Sequence, residues 1–205
     1  MQAFRPVQAE QLVLQAEVEG LQACALRPSA IFGPGDRLTI PSVAQRAKQG
    51  KMKYIIGSGK NMFDFTYVEN VAHAHVLADA ALCKPESPAA GQAFFINNDE
   101  PVLFWGMMGD ICEGLGYARP SIQLPVWLMM LVAIVSVWLS RLLGISTDLN
   151  PMRIRVCSVE RTLSCAKAKK MLGYAPIVDM KTGLERTLAT FDHLRNAVPV
   201  DKKAE

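Results

Sequence analysis

The segment GSGK at residues 57–60 is the first place where residue types could do chemistry, because glycine-rich loops can hold phosphate through backbone N–H groups. The dinucleotide-binding pattern GxGxxG needs a further glycine at position 62, where this chain has Met62. The longer spacing of a P-loop is absent as well. We therefore interpret residues 57–60 as a tight turn and not as a phosphate site.

The other reactive side chains form no recognisable hydrolase, metal or disulfide pattern. The sequence contains no GxSxG nucleophile motif. His73 and His75 are two residues apart and fall on different faces of a helix, whereas a two-histidine metal clip needs a spacing of four. The cysteines indicate neither a zinc site nor a disulfide framework, because they are odd in number and include no CxxC pair, and they favour a reducing compartment: Cys24, Cys83, Cys112, Cys157 and Cys165.

The elements that carry these residues alternate between strand and helix. Residues 21–28 are nearly all apolar and predict a buried strand, which the breaker-rich loop FGPGD at residues 32–36 must end. Further on, apolar periodicity predicts helices over 40–50, 69–82, 103–115 and 179–194, with strands over 53–56, 63–68 and 93–96. This alternation predicts an α/β fold with a parallel sheet.

Composition limits the class of protein further. The chain has 205 residues, of which 50% are hydrophobic and 20% charged, so it can bury a sizeable core and is not disordered as a whole. The formal net charge of +3 is too small to indicate a nucleic acid as the main partner. We expect a globular protein that binds no nucleic acid.

One segment, residues 120–140, contains no charged side chain and is unusually apolar. Twenty helical residues span about 30 Å, which matches the hydrocarbon core of a bilayer. The strictly apolar run from Val126 to Leu139 is shorter, so three interpretations stay open: a spanning helix, an interfacial helix and a buried core helix. Trp127 and Trp138 near its ends favour contact with a membrane.

The C-terminal part of the sequence is basic. By the positive-inside rule, the flank after Pro151 predicts the cytosolic side of a membrane, although a solvated helix face is an equal interpretation. Lys202 and Lys203 lie three and four residues from the end and resemble a di-lysine retrieval signal of the endoplasmic reticulum. These features predict the cytosolic face of the endoplasmic reticulum membrane as the location.

Several stretches together resemble one known family. The strings ALRPSAIFGPGD at 25–36 and FDFTYVENVAHAHVLA at 63–78 are similar to extended short-chain dehydrogenase/reductases. GQAFFINNDEPVLFW at 91–105, NPMRI at 150–154 and SCAKAKKMLGYAP at 164–176 resemble the 3β-hydroxysteroid dehydrogenases within that group. The likeness covers about residues 8–195 in order and spacing. It implies the C-terminal half of a Rossmann-like fold with a mainly helical substrate-side and membrane-associated region.

The resemblance also implies a cofactor, a substrate and site residues. The family uses NAD or NADP to oxidise the 3β-hydroxyl of a sterol, and some members act on 4α-carboxysterols with decarboxylation in sterol biosynthesis. Backbone around Pro28, Ser29 and Ile31 would lie beside the nicotinamide. Asp64, Phe65 and Tyr67 would shape the sterol side, although Phe65 and Tyr67 also fit alternating core positions of a strand.

Two features of the family are missing from these 205 residues. They contain no glycine-rich βαβ unit for the dinucleotide diphosphate and no Tyr-x-x-x-Lys pair. Alignment on the helix around residues 9–14 places Gln2 at the tyrosine position and Pro6 at the lysine position. Neither side chain transfers a proton near neutral pH, so no catalytic residue is assigned.

These observations predict three regions and two alternative functions. The regions are a partial Rossmann-like α/β region at 1–118, an apolar membrane-associated helical segment at 119–147, and a helical substrate-side cap with a basic tail at 148–205. We expect a truncated sterol dehydrogenase that is inactive alone. The alternative is a non-catalytic, membrane-associated protein that binds a sterol or serves as a partner subunit. Expected partners are a sterol, a membrane, and a second copy or an intact subunit.

Overall fold

The computed structural model describes residues 4–15, 21–144, 147 and 149–196, with the backbone alone for residues 4–7. Two compact units are each assembled from separate stretches of sequence. The first unit comprises Met1–Gly33, Asp64–Pro101 and Leu163–Gly183, and the second comprises Pro34–Phe63, Val102–Thr162 and Leu184–Glu205. The predicted division at residues 118 and 147 stays a prediction.

The first unit is built on two parallel strand pairs. Strand β1 (Ala25–Pro28) pairs with β6 (Ala93–Ile96), and β2 (Ala30–Phe32) pairs with β5 (Phe65–Tyr67). Helices α3 (Val68–Leu82) and α7 (Ala166–Leu172) pack beside them, and α1 (Phe4–Gln15) precedes them in the chain. Alanines on α3 and α7 permit this close approach, because Ala74, Ala78 and Ala168 are buried against Phe94 and Tyr174.

The second unit combines short strand pairs with helices. Strand β3 (Tyr54–Ile56) runs parallel to β8 (Ile122–Leu124), and β4 (Met62–Phe63) runs antiparallel to β7 (Val102–Leu103). Its other described elements are α2 (Thr39–Lys48), α4 (Phe104–Gly114), α5 (Val126–Leu143), α6 (Pro151–Ser158) and 3-10 turns at Lys51–Lys53 and Asp192–Leu194. Phe63, Phe104 and Trp105 pack edge to face, with successive ring centroids 5.4 Å apart, and anchor its core.

Most predicted elements are confirmed, including the α/β class with parallel strands and the tight turn at residues 57–60. In that turn Gly57 and Gly59 have φ of 84° and 72°, which glycine adopts without strain. The predicted helix over 179–194 is shorter, because α8 (Met180–Ala189) ends before Thr190. The Thr190 hydroxyl donates to the Thr187 carbonyl at 2.8 Å, which tightens the chain into a turn there.

Helix α5 contains the apolar segment, and one of the three interpretations of that segment is wrong. The helix has 18 residues and a mean hydropathy of 2.1, and it is the one helix among the described residues with the length and composition to cross a membrane. Only Ala133 of α5 is buried. The segment is therefore not a buried core helix, and the spanning and interfacial interpretations stay open. Lys202 and Lys203, with the rest of the basic tail, lie outside the described residues.

Candidate functional site

The three residues predicted to face the nicotinamide lie close together in the chain: Pro28 ends β1, Ser29 follows it, and Ile31 is the middle residue of β2. Pro28 pairs in register with Ile96, and Ile31 pairs with Thr66. The Ser29 backbone N–H donates to the Ile96 carbonyl at 2.9 Å, so this N–H group is used by the hydrogen bonding next to the β1–β6 pair. Pro28, Ala30 and Ile31 are exposed, and Ile31 keeps 45% of its surface accessible. This edge therefore offers apolar surface beside the ends of two parallel strand pairs.

The three residues predicted for the sterol side are buried. Asp64 is 3% exposed, and its Oδ2 accepts hydrogen bonds from Asn97 Nδ2 at 3.0 Å and from the Leu163 backbone N–H at 2.5 Å. Its carboxylate thus holds two other segments of the first unit in place. A direct contact between Asp64 and a sterol stays a prediction.

Phe65 and Tyr67 lie in the core of the first unit. Their rings contact Phe32 on β2, with centroid distances of 6.3 Å for Phe65 and 5.6 Å for Tyr67. Tyr67 is fully buried, and its hydroxyl donates to Glu69 Oε1 at 3.3 Å. A Cβ at Gly183 would lie 2.8 Å from Tyr67 Cδ2, so the backbone of α8 at this glycine packs directly against the tyrosine ring. In this structure both side chains support the β2 and β5 strands from within.

Gly33, just after β2, is expected to tolerate no side chain. A Cβ there would lie 2.4 Å from Val68 Cγ1 and 2.9 Å from Val68 Cβ, closer than packed atoms allow. We expect Gly33→Ala to lower the free energy of unfolding by about 1–3 kcal/mol, measured by urea denaturation. Val68→Ala removes the methyl group at 2.4 Å but keeps the Cβ at 2.9 Å, so it should restore part of that loss in the double variant. An equal loss from Gly33→Ala in both backgrounds would refute this steric cause.

A buried asparagine network joins the carboxyl ends of these strands, and the sequence reasoning missed it. Asn98 Oδ1 accepts from the Tyr67 backbone N–H at 2.9 Å and from Asn70 Nδ2 at 2.8 Å, while Asn98 Nδ2 donates to the Val178 carbonyl at 3.0 Å. Asn70 Oδ1 accepts from the backbone N–H groups of Ile177 and Val178 at 2.8 and 3.0 Å. The network therefore fixes β5 and the segment around Val178 to the end of β6.

One sequence signal could have revealed this network. Asn97 and Asn98 directly follow the apolar strand AFFI at 93–96, where the chain leaves a buried strand end. Side-chain amides at such a position can pair with several backbone groups at once. Within the described residues no buried side-chain nitrogen or oxygen lacks a hydrogen-bond partner, so this network is fully satisfied.

Beside this network, Cys165 is a buried thiol with little nucleophilic character. It donates to Asp99 Oδ1 at 3.3 Å, and Lys169 pairs with the other oxygen of that carboxylate. Burial, aided by the hydrogen bond to Asp99, raises the pKa of Cys165 to about 11. The hydrogen bond from Lys169 lowers the pKa of Asp99. At neutral pH the thiol is protonated, which argues against a catalytic cysteine here.

Tyr174 is similarly unsuited to act as a base. Its hydroxyl donates to the Asn97 carbonyl at 2.8 Å, and burial raises its pKa above the ordinary tyrosine value. The part of the chain that the structure describes contains no cluster of three or more His, Cys, Asp or Glu side chains that could hold a metal. Gln2 lies outside the described residues, and of Pro6 the backbone alone is described, within α1.

Comparison with known proteins identifies close relatives in sequence. The chain is 48% identical over 195 residues to 3beta-hydroxysteroid-dehydrogenase/decarboxylase isoform 2 of Arabidopsis thaliana, covering 91% of this chain and 35% of that protein. It is 41% identical over 175 residues to the sterol-4-alpha-carboxylate 3-dehydrogenase, decarboxylating, of Mus musculus, covering 83% of this chain and 48% of that protein. The chain thus spans half or less of the length of these relatives.

A solved structure agrees with the predicted fold. The RMD protein of Pseudomonas aeruginosa, determined in complex with NADPH, superposes with a TM-score of 0.59 at 18% identity, covering 91% of this chain and 54% of that chain. This likeness confirms the Rossmann-type α/β fold. In addition, residues 5–126 match the 3-beta hydroxysteroid dehydrogenase/isomerase family. The resemblance inferred from the sequence is confirmed: the chain belongs to the 3-beta hydroxysteroid dehydrogenase/isomerase family.

Proposed function

We propose that this chain forms the sterol side and the nicotinamide end of an NAD(P)-dependent 3β-hydroxysterol dehydrogenase that acts on 4α-carboxysterols. The observation that carries the proposal is the juxtaposition of β2 and β5. In this pairing, exposed Ile31 is in register with Thr66, and β2 follows directly after the exposed end of β1 at Pro28. The identity to decarboxylating sterol dehydrogenases supports the choice of substrate.

The exposed surface at β1 and β2 fits one end of a dinucleotide. In open α/β sheets, ligands bind outside the carboxyl ends of parallel strands; Pro28 is the last residue of β1, Ser29 follows it, and Ile31 is the middle residue of β2. Because the Ser29 N–H is bonded to Ile96, the contact would come from the exposed apolar side chains of Pro28 and Ile31. The 205 residues contain no glycine-rich loop for the diphosphate. When bound, the nicotinamide supplies the two-electron acceptor for the oxidation.

The proposed chemistry has two steps on the sterol. Oxidation at C3 removes the hydroxyl proton and the C3 hydrogen with two electrons, and leaves a 3-ketone. The neighbouring 4α-carboxylate is then a β-keto acid, whose C4–carboxyl bond breaks to release CO₂ and an enolate that takes up a proton. We assign this chain the task of orienting the sterol. The residues aligned with the family's proton-transfer pair, Gln2 and Pro6, cannot perform the first step.

Because Asp64, Phe65 and Tyr67 are buried, we assign them the role of supporting the strands next to the sterol. Phe65 and Tyr67 would hold Phe32 and the β2 edge rigid, and Asp64 would fix the turn that precedes β5 through Asn97 and Leu163. We also propose that the protein works at the cytosolic face of the endoplasmic reticulum membrane. The apolar helix α5 supports membrane contact, and a sterol partitions into that phase.

Titration of a fluorescent 4α-carboxysterol into the detergent-solubilised chain tests this assignment. We expect saturable binding that Phe65→Leu weakens about fivefold, because a less rigid wall loses roughly 1 kcal/mol of contact. Phe94→Leu is the matched control, since Phe94 is an equally buried phenylalanine on β6, and its effect should stay below about twofold. Non-saturable uptake that is identical in all three proteins would refute sterol binding by this chain.

A further inference from the structure

The membrane association proposed above leaves open how α5 meets the bilayer. We propose that α5 is a monotopic element, which lies along one leaflet with its apolar face among the acyl chains and does not cross to the other side. Three features of the second unit carry this inference: the two faces of α5, the attachment of both its ends, and the composition of the segment that follows it.

The two faces of α5 differ along its whole length. The face on the protein carries buried Ala133 and a half-buried stripe: Val126, Met129, Met130, Ser136, Val137 and Ser140. The opposite face is exposed and apolar throughout: Trp127, Leu128, Leu131, Val132, Ile134, Val135, Trp138, Leu139, Leu142 and Leu143. A helix with one continuous protein-facing stripe and one continuous apolar face has the form of an interfacial helix.

Both ends of α5 return to the same part of the second unit. Before the helix, β8 pairs with β3, and the Gly57 N–H donates to the Leu124 carbonyl at 2.8 Å. In the last turn of α6, the Cys157 carbonyl accepts a hydrogen bond from Trp105 Nε1 at 3.0 Å. A Cβ at Gly57 would lie 3.1 Å from Val126 Cγ2 and 3.7 Å from Ser158 Cβ. The entry to α5 and the exit from α6 are therefore at one place.

The segment between these ends cannot serve as a second span. If α5 crossed the bilayer, residues 144–157 would have to cross back to reach Trp105. These fourteen residues include Asp148, Arg153 and Arg155, and they include Pro151 at the start of α6. Charged side chains and open backbone are not tolerated in the hydrocarbon core facing lipid. The return to the same α/β core therefore excludes a single crossing by α5.

Charge and aromatic position identify the partner as an anionic leaflet. Trp127 and Trp138 are 65% and 70% exposed, and their separation of eleven residues places them on one face of the helix. Tryptophan favours the headgroup level of a bilayer. Arg141 in the last turn of α5 adds positive charge at the end of this helix, and α6, which packs against α5, carries exposed Arg153 and Arg155. A face of this composition fits lipid acyl chains below anionic headgroups.

The depth of the two tryptophans in a vesicle distinguishes the two orientations. The full chain is bound to phosphatidylcholine vesicles with about 20% phosphatidylserine, carrying bromine at shallow or deep acyl positions. Comparison of the chain with Trp127→Phe and with Trp138→Phe isolates the quenching of each tryptophan, with Trp105 as a constant background. In a spanning α5, Trp127 would lie about 11 Å and Trp138 about 5 Å from the bilayer midplane.

For a monotopic α5 we expect equal quenching profiles for both tryptophans, strongest with shallow bromine, and at least about tenfold weaker binding when phosphatidylserine is omitted. Stronger quenching of Trp138 by deep bromine would overturn the inference. So would a chain that stays in solution as a dimer without quenching, because a second copy would then cover the apolar face. Neither result depends on sterol affinity, so failure here is distinguishable from failure of the proposed function.

Discussion

Replacing Asn98 with alanine is expected to lower the free energy of unfolding by about 3–5 kcal/mol, because it removes a fully used buried amide. The change leaves the Tyr67 backbone N–H and one amide proton of Asn70 without an acceptor, and it removes the donor to Val178. Each unsatisfied buried group costs roughly 1–3 kcal/mol. Urea denaturation followed by circular dichroism measures the loss.

Gln45→Ala is the control for this measurement, since it removes an exposed amide from α2 and should change stability by less than about 0.5 kcal/mol. Asn98→Asp adds a second test, because its carboxylate can still accept from Tyr67 but cannot donate to Val178. We expect its stability to be no higher than that of Asn98→Ala, because the buried carboxylate places an oxygen 3.0 Å from the Val178 carbonyl oxygen where the amide donated. A loss below about 1 kcal/mol for Asn98→Ala would mean that the network does not hold the first unit together.

Exchanging Leu131 and Ile134 for aspartate is expected to weaken vesicle binding by roughly a thousandfold. Both side chains lie on the exposed apolar face of α5. Each substitution removes an apolar side chain from the acyl layer and introduces a charge, which weakens the binding free energy by at least about 2 kcal/mol. The two losses add to about 4 kcal/mol. Flotation of protein with phosphatidylcholine and phosphatidylserine vesicles on a density gradient measures the bound fraction.

Val76→Asp is the matched control, because Val76 is also an exposed aliphatic residue on a helix, at 66% accessibility, but lies on α3 and outside the apolar face. We expect its vesicle binding to equal that of the original chain within about twofold. If Leu131→Asp with Ile134→Asp still floats as the original chain does, α5 is not the membrane contact. If Val76→Asp is lost from the vesicles as well, added negative charge alone explains the result.

The strands and helices of the first unit were predictable because local pattern decides them. The apolar run AFFI at 93–96 and the alanine-rich run of α3 carry the signal in the first unit, and in the second unit the glycines at 57 and 59 mark a turn. The end of α8 was not predictable from apolar spacing. At that end the backbone N–H groups of Thr190 and Phe191 donate to carbonyls three residues earlier, and the Thr190 hydroxyl shares the Thr187 carbonyl; periodicity does not encode these contacts.

The candidate site, too, was only partly predictable from the sequence. Pro28 and Ile31 are exposed beside half-buried Ser29, and the assignment of these three residues to the nicotinamide came from the family resemblance and stays a prediction. The burial of Asp64 was not foreseen, because its partners Asn97 and Leu163 are distant in sequence and meet it only through the parallel pairing of strands. The same reason hides the Asn70 and Asn98 network, whose contacts with Val178 span 108 and 80 residues.

The turnover of a joined protein tests the central proposal most directly. The N-terminal portion of the Arabidopsis isoform 2 relative that precedes the aligned region would be fused to this chain and incubated with a 4α-carboxy-3β-hydroxysterol and NAD⁺. We expect one NADH and one CO₂ for each sterol consumed, and no NADH above a blank from the 205-residue chain alone. A folded, NAD-binding fusion that forms no NADH from this sterol, while the intact relative does, would contradict the proposed function.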